Sequence, residues 1–73
     1  MARHKVGDLL YHNTCGFGFI VSYDPNNKDC PYLTWWSEGR GGYNGRGGEF
    51  ETRGNEYHID AWKFQLVDIM KGI

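Results

Sequence analysis

Turn-forming residues break this chain about every 8–15 positions, and that spacing constrains its fold more than any other feature. "NTCG", "DPNNKDCP" and the glycine-rich run "EGRGGYNGRGGEF" leave only short segments between them. In "DPNNKDCP", Asp and Asn bond locally to backbone and Pro presets φ, so the chain reverses there. "KVGDLLYHN" (Lys5–Asn13), "FGFIVSY" (Phe17–Tyr23) and "YLTWWS" (Tyr32–Ser37) read as strands. In the second, Phe17, Phe19, Val21 and Tyr23 alternate with Gly18, Ile20 and Ser22. "EYHIDAW" (Glu56–Trp62) and "FQLVDI" (Phe64–Ile69) read as two more strands, with "DAWK" as a single helical turn between them. No segment reads as an amphipathic helix. Five short strands predict an all-β fold, and a closed barrel fits best because closure removes exposed edges.

Seventy-three residues allow one domain. A chain of this size buries only about 60% of its unfolded surface, so its core is thin. Three Trp, five Tyr and four Phe compensate, each burying roughly 150–250 Å². No apolar run approaches the ~18 residues of a membrane span, and "MARHKVGDLL" lacks the apolar stretch of a signal peptide. A cytoplasmic protein, or one packed in a particle assembled in a cytosol, is expected, with no membrane partner. Eight Lys and Arg against nine Asp and Glu leave a net charge of −1, which is not the balance of a dedicated nucleic-acid binder.

The glycine run holds two Arg-Gly-Gly copies, with Arg40 and Arg46 flanking Tyr43. Arg-Gly-Gly tracts bind RNA through charge and stacking, in many copies. Here Arg40, Arg46 and Arg53 face Glu38, Glu49, Glu51 and Glu56, a sum of −1 over Glu38–Glu56. A phosphate backbone would meet as many carboxylates as guanidiniums. The segment therefore reads as an enlarged flexible loop between the third and fourth strands, with Tyr43 as its one aromatic contact.

His12 and Cys15 make one H-x-x-C step, but structural zinc normally takes two tight ligand pairs, so no metal is expected. If Tyr23 lies opposite Tyr32, Cys15 and Cys30 fall at opposite ends of a hairpin, about 25–30 Å apart. A disulfide needs Cα atoms within about 7 Å, so free thiols are expected. His12 with Cys15, or His58 with Asp60 on one strand face, could be imagined as catalytic pairs. Neither comes with an oxyanion-hole segment or a pocket. "GFGF" is not G-x-G-x-x-G, because Val21 stands at the last position, and there is no phosphate loop. No catalytic residue and no cofactor is expected.

Trp35 and Trp36 are adjacent, so on a strand they face opposite sides. One is core. The other is outside, as a binding anchor or beneath the loop.

"KVGDLLYH", "GFGFIVSYD", "YLTWWS" and "FQLVDI" together resemble the small SH3-like barrels of the Tudor and KOW type. More narrowly, the chain is similar to the short SH3-like proteins that tailed phages, cyanophages among them, encode. The resemblance implies a tight turn at Gly7-Asp8, a bend at Gly16 and Gly18, and a Y-x-V-x-W strand over Tyr32, Thr34 and Trp36. That places Trp36 inward and Trp35 outward. Thr34 stands where Val is usual, and the loop after the third strand is longer than in such barrels. The implied function is a non-enzymatic module docking a protein partner, or itself, through Trp35, Tyr43 and Trp62. The alternative is nucleic-acid or transcription-machinery binding through Arg3, Lys5, Arg40, Arg46 and Arg53. A further alternative is a minor structural component of a phage particle.

Overall fold

The computed structural model describes residues 3–38 and 48–72. Strands β1 (Leu9–His12), β2 (Gly16–Tyr23), β3 (Tyr32–Trp36) and β4 (Phe50–Gly54) form one antiparallel sheet in sequence order. Helix α1 (Glu56–Lys71) follows and packs chiefly against β1. The fold is α+β, an open sheet with one helix, and not the all-β five-stranded barrel expected from the sequence.

Two segments account for the difference. "EYHIDAW" and "FQLVDI" are one continuous helix of 16 residues, without Gly or Pro. Asn55 caps it: its side chain accepts the His58 N–H at 2.9 Å, and His58 Nδ1 accepts the Asn55 N–H at 3.1 Å. This reciprocal pair satisfies two donors that a helix start otherwise leaves open. The fourth strand, "FETRG", lies inside the segment read as loop, paired to β3 with Leu33 opposite Arg53 and Trp36 opposite Phe50. Residues 39–47, with Arg40, Tyr43 and Arg46, lie outside the described residues.

The turns follow their residue types. Asp24 Oδ1 accepts the Asn26 N–H at 3.0 Å, and Asn27 Oδ1 accepts the Cys30 N–H at 3.1 Å. Those bonds shape the "DPNNKDCP" reversal and set Tyr23 opposite Tyr32. Gly16, at φ 75°, closes the β1–β2 hairpin in a conformation L side chains rarely adopt. An irregularity between Ile20 and Ser22 moves β2 by one residue. The strict alternation predicted from Phe17 to Tyr23 therefore breaks: Phe17 and Phe19 lie on the outer face, while Tyr23 packs on the core.

The core lies between the sheet's inner face and α1, built from Leu10, Cys15, Ile20, Tyr32, Trp36 and Ile59. Trp36 is the largest of these and crosses over Gly18 on β2. Its Nε1–H donates to Thr34 Oγ1 at 2.8 Å, and that hydroxyl donates to the Thr52 carbonyl at 2.8 Å. Thr34 thus supplies the acceptor that the buried indole needs. Cys15 and Cys30 are both free thiols. Among the described residues, no helix is long and apolar enough to cross a membrane.

Candidate binding face of the sheet

With Trp36 inside, the strand period turns Trp35 outward. Register places Leu9, Phe19, Trp35 and Glu51 in one row across β1, β2, β3 and β4. Neighbouring strands lie about 4.8 Å apart, so the three apolar residues make a strip roughly 10 Å long. Phe19 and Trp35 rings sit 5.5 Å apart, and Tyr11 and Phe17 make a second, edge-to-face pair at 5.0 Å. Leu9 is 59% exposed, Phe17 49% and Phe19 38%. Five apolar or aromatic side chains on an outer face exceed the scattered exposure of an ordinary surface. Glu51 and Arg53 flank this face on β4, and Asp68 lies across a shallow groove of ≈ 280 Å³ from Tyr11.

Of the residues the sequence singled out, Trp35 lies on this face. Trp62 does not. It projects from α1 onto the opposite side of the sheet, 5.0 Å edge-to-face from Trp36 and stacked on His58 at 5.5 Å. Leu9, Phe17 and Phe19 were not singled out, although alternation around Gly18 and Ile20 carried the signal for the two phenylalanines.

A second cluster carries charge. Arg3 and His4 reach Asp60 on α1, with His4 Nε2 at 2.9 Å from Asp60 Oδ1 and 3.4 Å from Glu56 Oε2. The Tyr32 hydroxyl donates to Glu56 Oε1 at 2.7 Å. His58 and Asp60, expected on one strand face, are split by the helix: His58 caps it, and Asp60 holds the N-terminal segment. The Arg3 hydrogen bond holds the Asp60 carboxyl below its ordinary value. Asp8, bonded by Lys63 Nζ at 2.6 Å and by the Lys5 N–H, is lowered in the same way. These contacts clamp residues 3–8 to the helix. His12 Nδ1 accepts the Thr14 N–H at 3.1 Å, so it is turned to its own loop rather than to the Cys15 thiol. Among the described residues, no group of three or more His, Cys, Asp or Glu could hold a metal ion.

The Tyr32 phenol gives the clamp a pH signature. Burial, then the bond to Glu56, pushes its pKa from 10.0 up to about 12. The stability it contributes is complete below the unfolded value near pH 10 and is lost as pH rises through 12. Over that window the protein should lose on the order of 2 kcal/mol through this group. Urea titrations at pH 9 and pH 11.5 should show a steeper loss for wild type than for Tyr32→Phe. Equal losses would mean that the phenol is not held neutral.

No protein-family model, no curated protein and no solved structure matches this chain, so nothing in these comparisons bears on its resemblance to SH3-like or phage proteins.

Proposed function

We propose that this protein is a non-enzymatic binding module that captures a protein partner through the outer face of its sheet. The outward row of exposed Leu9 and Phe19 and half-buried Trp35, with Phe17 and Tyr11 beside it, carries this reading. Aromatic side chains give large contact area at low entropy cost, and they dominate interface energetics. A stacking platform for single-stranded nucleic acid would use the same aromatics together with a basic groove. Here Glu51 stands at the end of the row and offsets Arg53 beside it, and Arg3 and Lys63 are engaged by carboxylates on the far side. The surroundings favour protein over phosphate.

Trp35→Ala tests the proposal, because the residue is outside the core and its removal should leave the fold intact. Affinity capture from the native cellular background, followed by quantitative mass spectrometry, should show a partner retained by wild type. The variant should capture it at least roughly tenfold less well, with an unchanged circular dichroism spectrum. Equal recovery, or a variant that unfolds, would remove Trp35 as an anchor. Binding to single-stranded RNA or DNA that weakens steeply with salt would replace the protein reading with the nucleic-acid one.

A further inference from the structure

The sheet has two edges, β1 and β4, and they differ. β1 has α1 alongside it: the Asn13 N–H donates to Gln65 Oε1 at 3.2 Å, and Tyr11 shares a groove with Gln65, Asp68 and Ile69. At β4 the ladder fixes where the backbone groups point. The Ser37 N–H donates to the Phe17 carbonyl at 2.8 Å, so Phe19 and Trp35, two residues further along, are also a bonded pair of β2 and β3. Successive residues of a strand turn their N–H and C=O to opposite sides. Thr34 and Trp36 therefore bond to β4, opposite Thr52 and Phe50. Glu51 and Arg53 alternate with those partners and aim their own N–H and C=O away from the sheet. Among the described residues nothing bonds to these four groups. Edges are ordinarily guarded by proline, a bulge or repelling charge. β4 has no proline, pairs with β3 without a bulge, and its exposed charges, Glu51 and Arg53, are opposite in sign.

We propose that β4 pairs antiparallel with β4 of a second copy of this chain, about a two-fold axis at Thr52, so that two four-stranded sheets become one. That axis sets Glu51 opposite Arg53 of the second copy, and Arg53 opposite its Glu51. These are the residues whose backbone groups face outward, so each pair exchanges two N–H···O=C bonds. The same register lays a carboxylate beside a guanidinium at both pairs. Backbone and charge therefore select one alignment. An axis moved to Glu51 or to Arg53 would set like charges directly opposite one another, which is destabilising. Both side chains are available for the contact. Glu51 has no ion-pair partner among the described residues, and Arg53 makes one long hydrogen bond, from Nη1 to the Cys30 carbonyl at 3.5 Å. A strand whose charges complement its own reversal points to a second copy rather than to an unrelated peptide.

The contact is small. One strand pair buries a few hundred Å² per chain, below the ~800 Å² per partner of a standard interface, so the dimer is weak. A dissociation constant on the order of 10–100 µM is expected. The edge is separate from the aromatic row, and the inference does not depend on the function proposed for that row.

Sedimentation velocity of the full chain over about 5–500 µM tests the pairing. Wild type should move from the 8.4 kDa monomer towards twice that mass. Glu51→Arg and Arg53→Glu each set like charges opposite one another at both pairs. Each should raise the dissociation constant at least roughly tenfold while keeping the wild-type circular dichroism spectrum, since both positions are exposed. The double swap E51R/R53E restores opposite charges and should associate like wild type. An equimolar mixture of the two single variants should also associate, because each supplies the charge that the other lacks. Hydrogen exchange at the Glu51 and Arg53 amides of wild type should slow several-fold from the lowest concentration to the highest. A wild type that stays monomeric throughout would overturn the proposal. So would single variants that associate like wild type, or a folded double swap that does not associate. Amides whose exchange ignores concentration while the protein dimerises would do the same, since the contact would then lie elsewhere.

Discussion

Gly18→Ala is expected to remove more than half of the protein's folding stability at 25 °C. A Cβ at this position would stand 2.3 Å from the Trp35 carbonyl oxygen and 2.7 Å from the Trp36 ring. The first contact is with backbone of the neighbouring strand, and the second is with the largest buried side chain of the core. Neither can move without opening the β2–β3 pairing that organises the sheet. Overpacking of this kind costs typically 1–3 kcal/mol, and more where backbone must shift. A domain of 73 residues has roughly 5 kcal/mol of stability to lose. Circular dichroism and urea titration should show at least ~3 kcal/mol of destabilisation. Ser22→Ala, at an exposed position on the same strand, should change the midpoint little. A wild-type midpoint for Gly18→Ala would mean that Trp36 does not cross β2 at this residue.

Gly18 also shows why local sequence signals carry part of this fold. The resemblance to SH3-like barrels assigns Gly18 to a bend. In the structure its φ is not in the left-handed region, and the glycine makes room for Trp36. The strand assignments for β1, β2 and β3 rest on period-two alternation and turn chemistry, both local properties; the second and third fold as strands, while of Lys5–Asn13 only Leu9–His12 does, residues 5–8 forming a turn. The same reasoning turns Trp35 and Trp36 to opposite faces.

Helix α1 was hidden by its own composition. Ile59, Trp62 and Leu66 recur at helical spacing, and Asn55 before Glu56 is a capping signal. The exposed residues Tyr57, Phe64, Val67 and Met70 fill the intervals between them. The two stripes together look like short alternating segments, which is how strands read. Strand β4 was hidden for the opposite reason. "FETRG" is charged and follows a glycine-rich run, and it becomes a strand only through its pairing with β3. The same limits apply to the binding face. Alternation alone turns Trp35 outward, but only the register sets Leu9 and Phe19 beside it, since a row across three strands is a tertiary property. The surplus of apolar residues in α1 that obscured the helix also leaves Tyr57, Phe64 and Val67 exposed on its outer side.

Thr34→Val should destabilise the protein by roughly 1–3 kcal/mol, although the side chain keeps its shape and gains apolar character. The hydroxyl is fully buried between two partners. It accepts the Trp36 indole N–H and donates to the Thr52 carbonyl, both at 2.8 Å. Valine offers neither, so the indole N–H loses its acceptor inside the core. The cost comes from that stranded donor more than from the lost bond, and a second substitution separates the two. Trp36→Phe removes the N–H together with ring volume, and it should cost about 2 kcal/mol as a large-to-small change. In that background Thr34→Val no longer strands a donor. Its cost should fall by about 1 kcal/mol or more relative to its cost in wild type, a coupling that a double-mutant cycle of urea titrations reads directly. Strictly additive losses would mean that Thr34 serves β4 alone and that the indole finds another acceptor. A coupled result would establish that the Thr34 hydroxyl is what lets the Trp36 indole be buried.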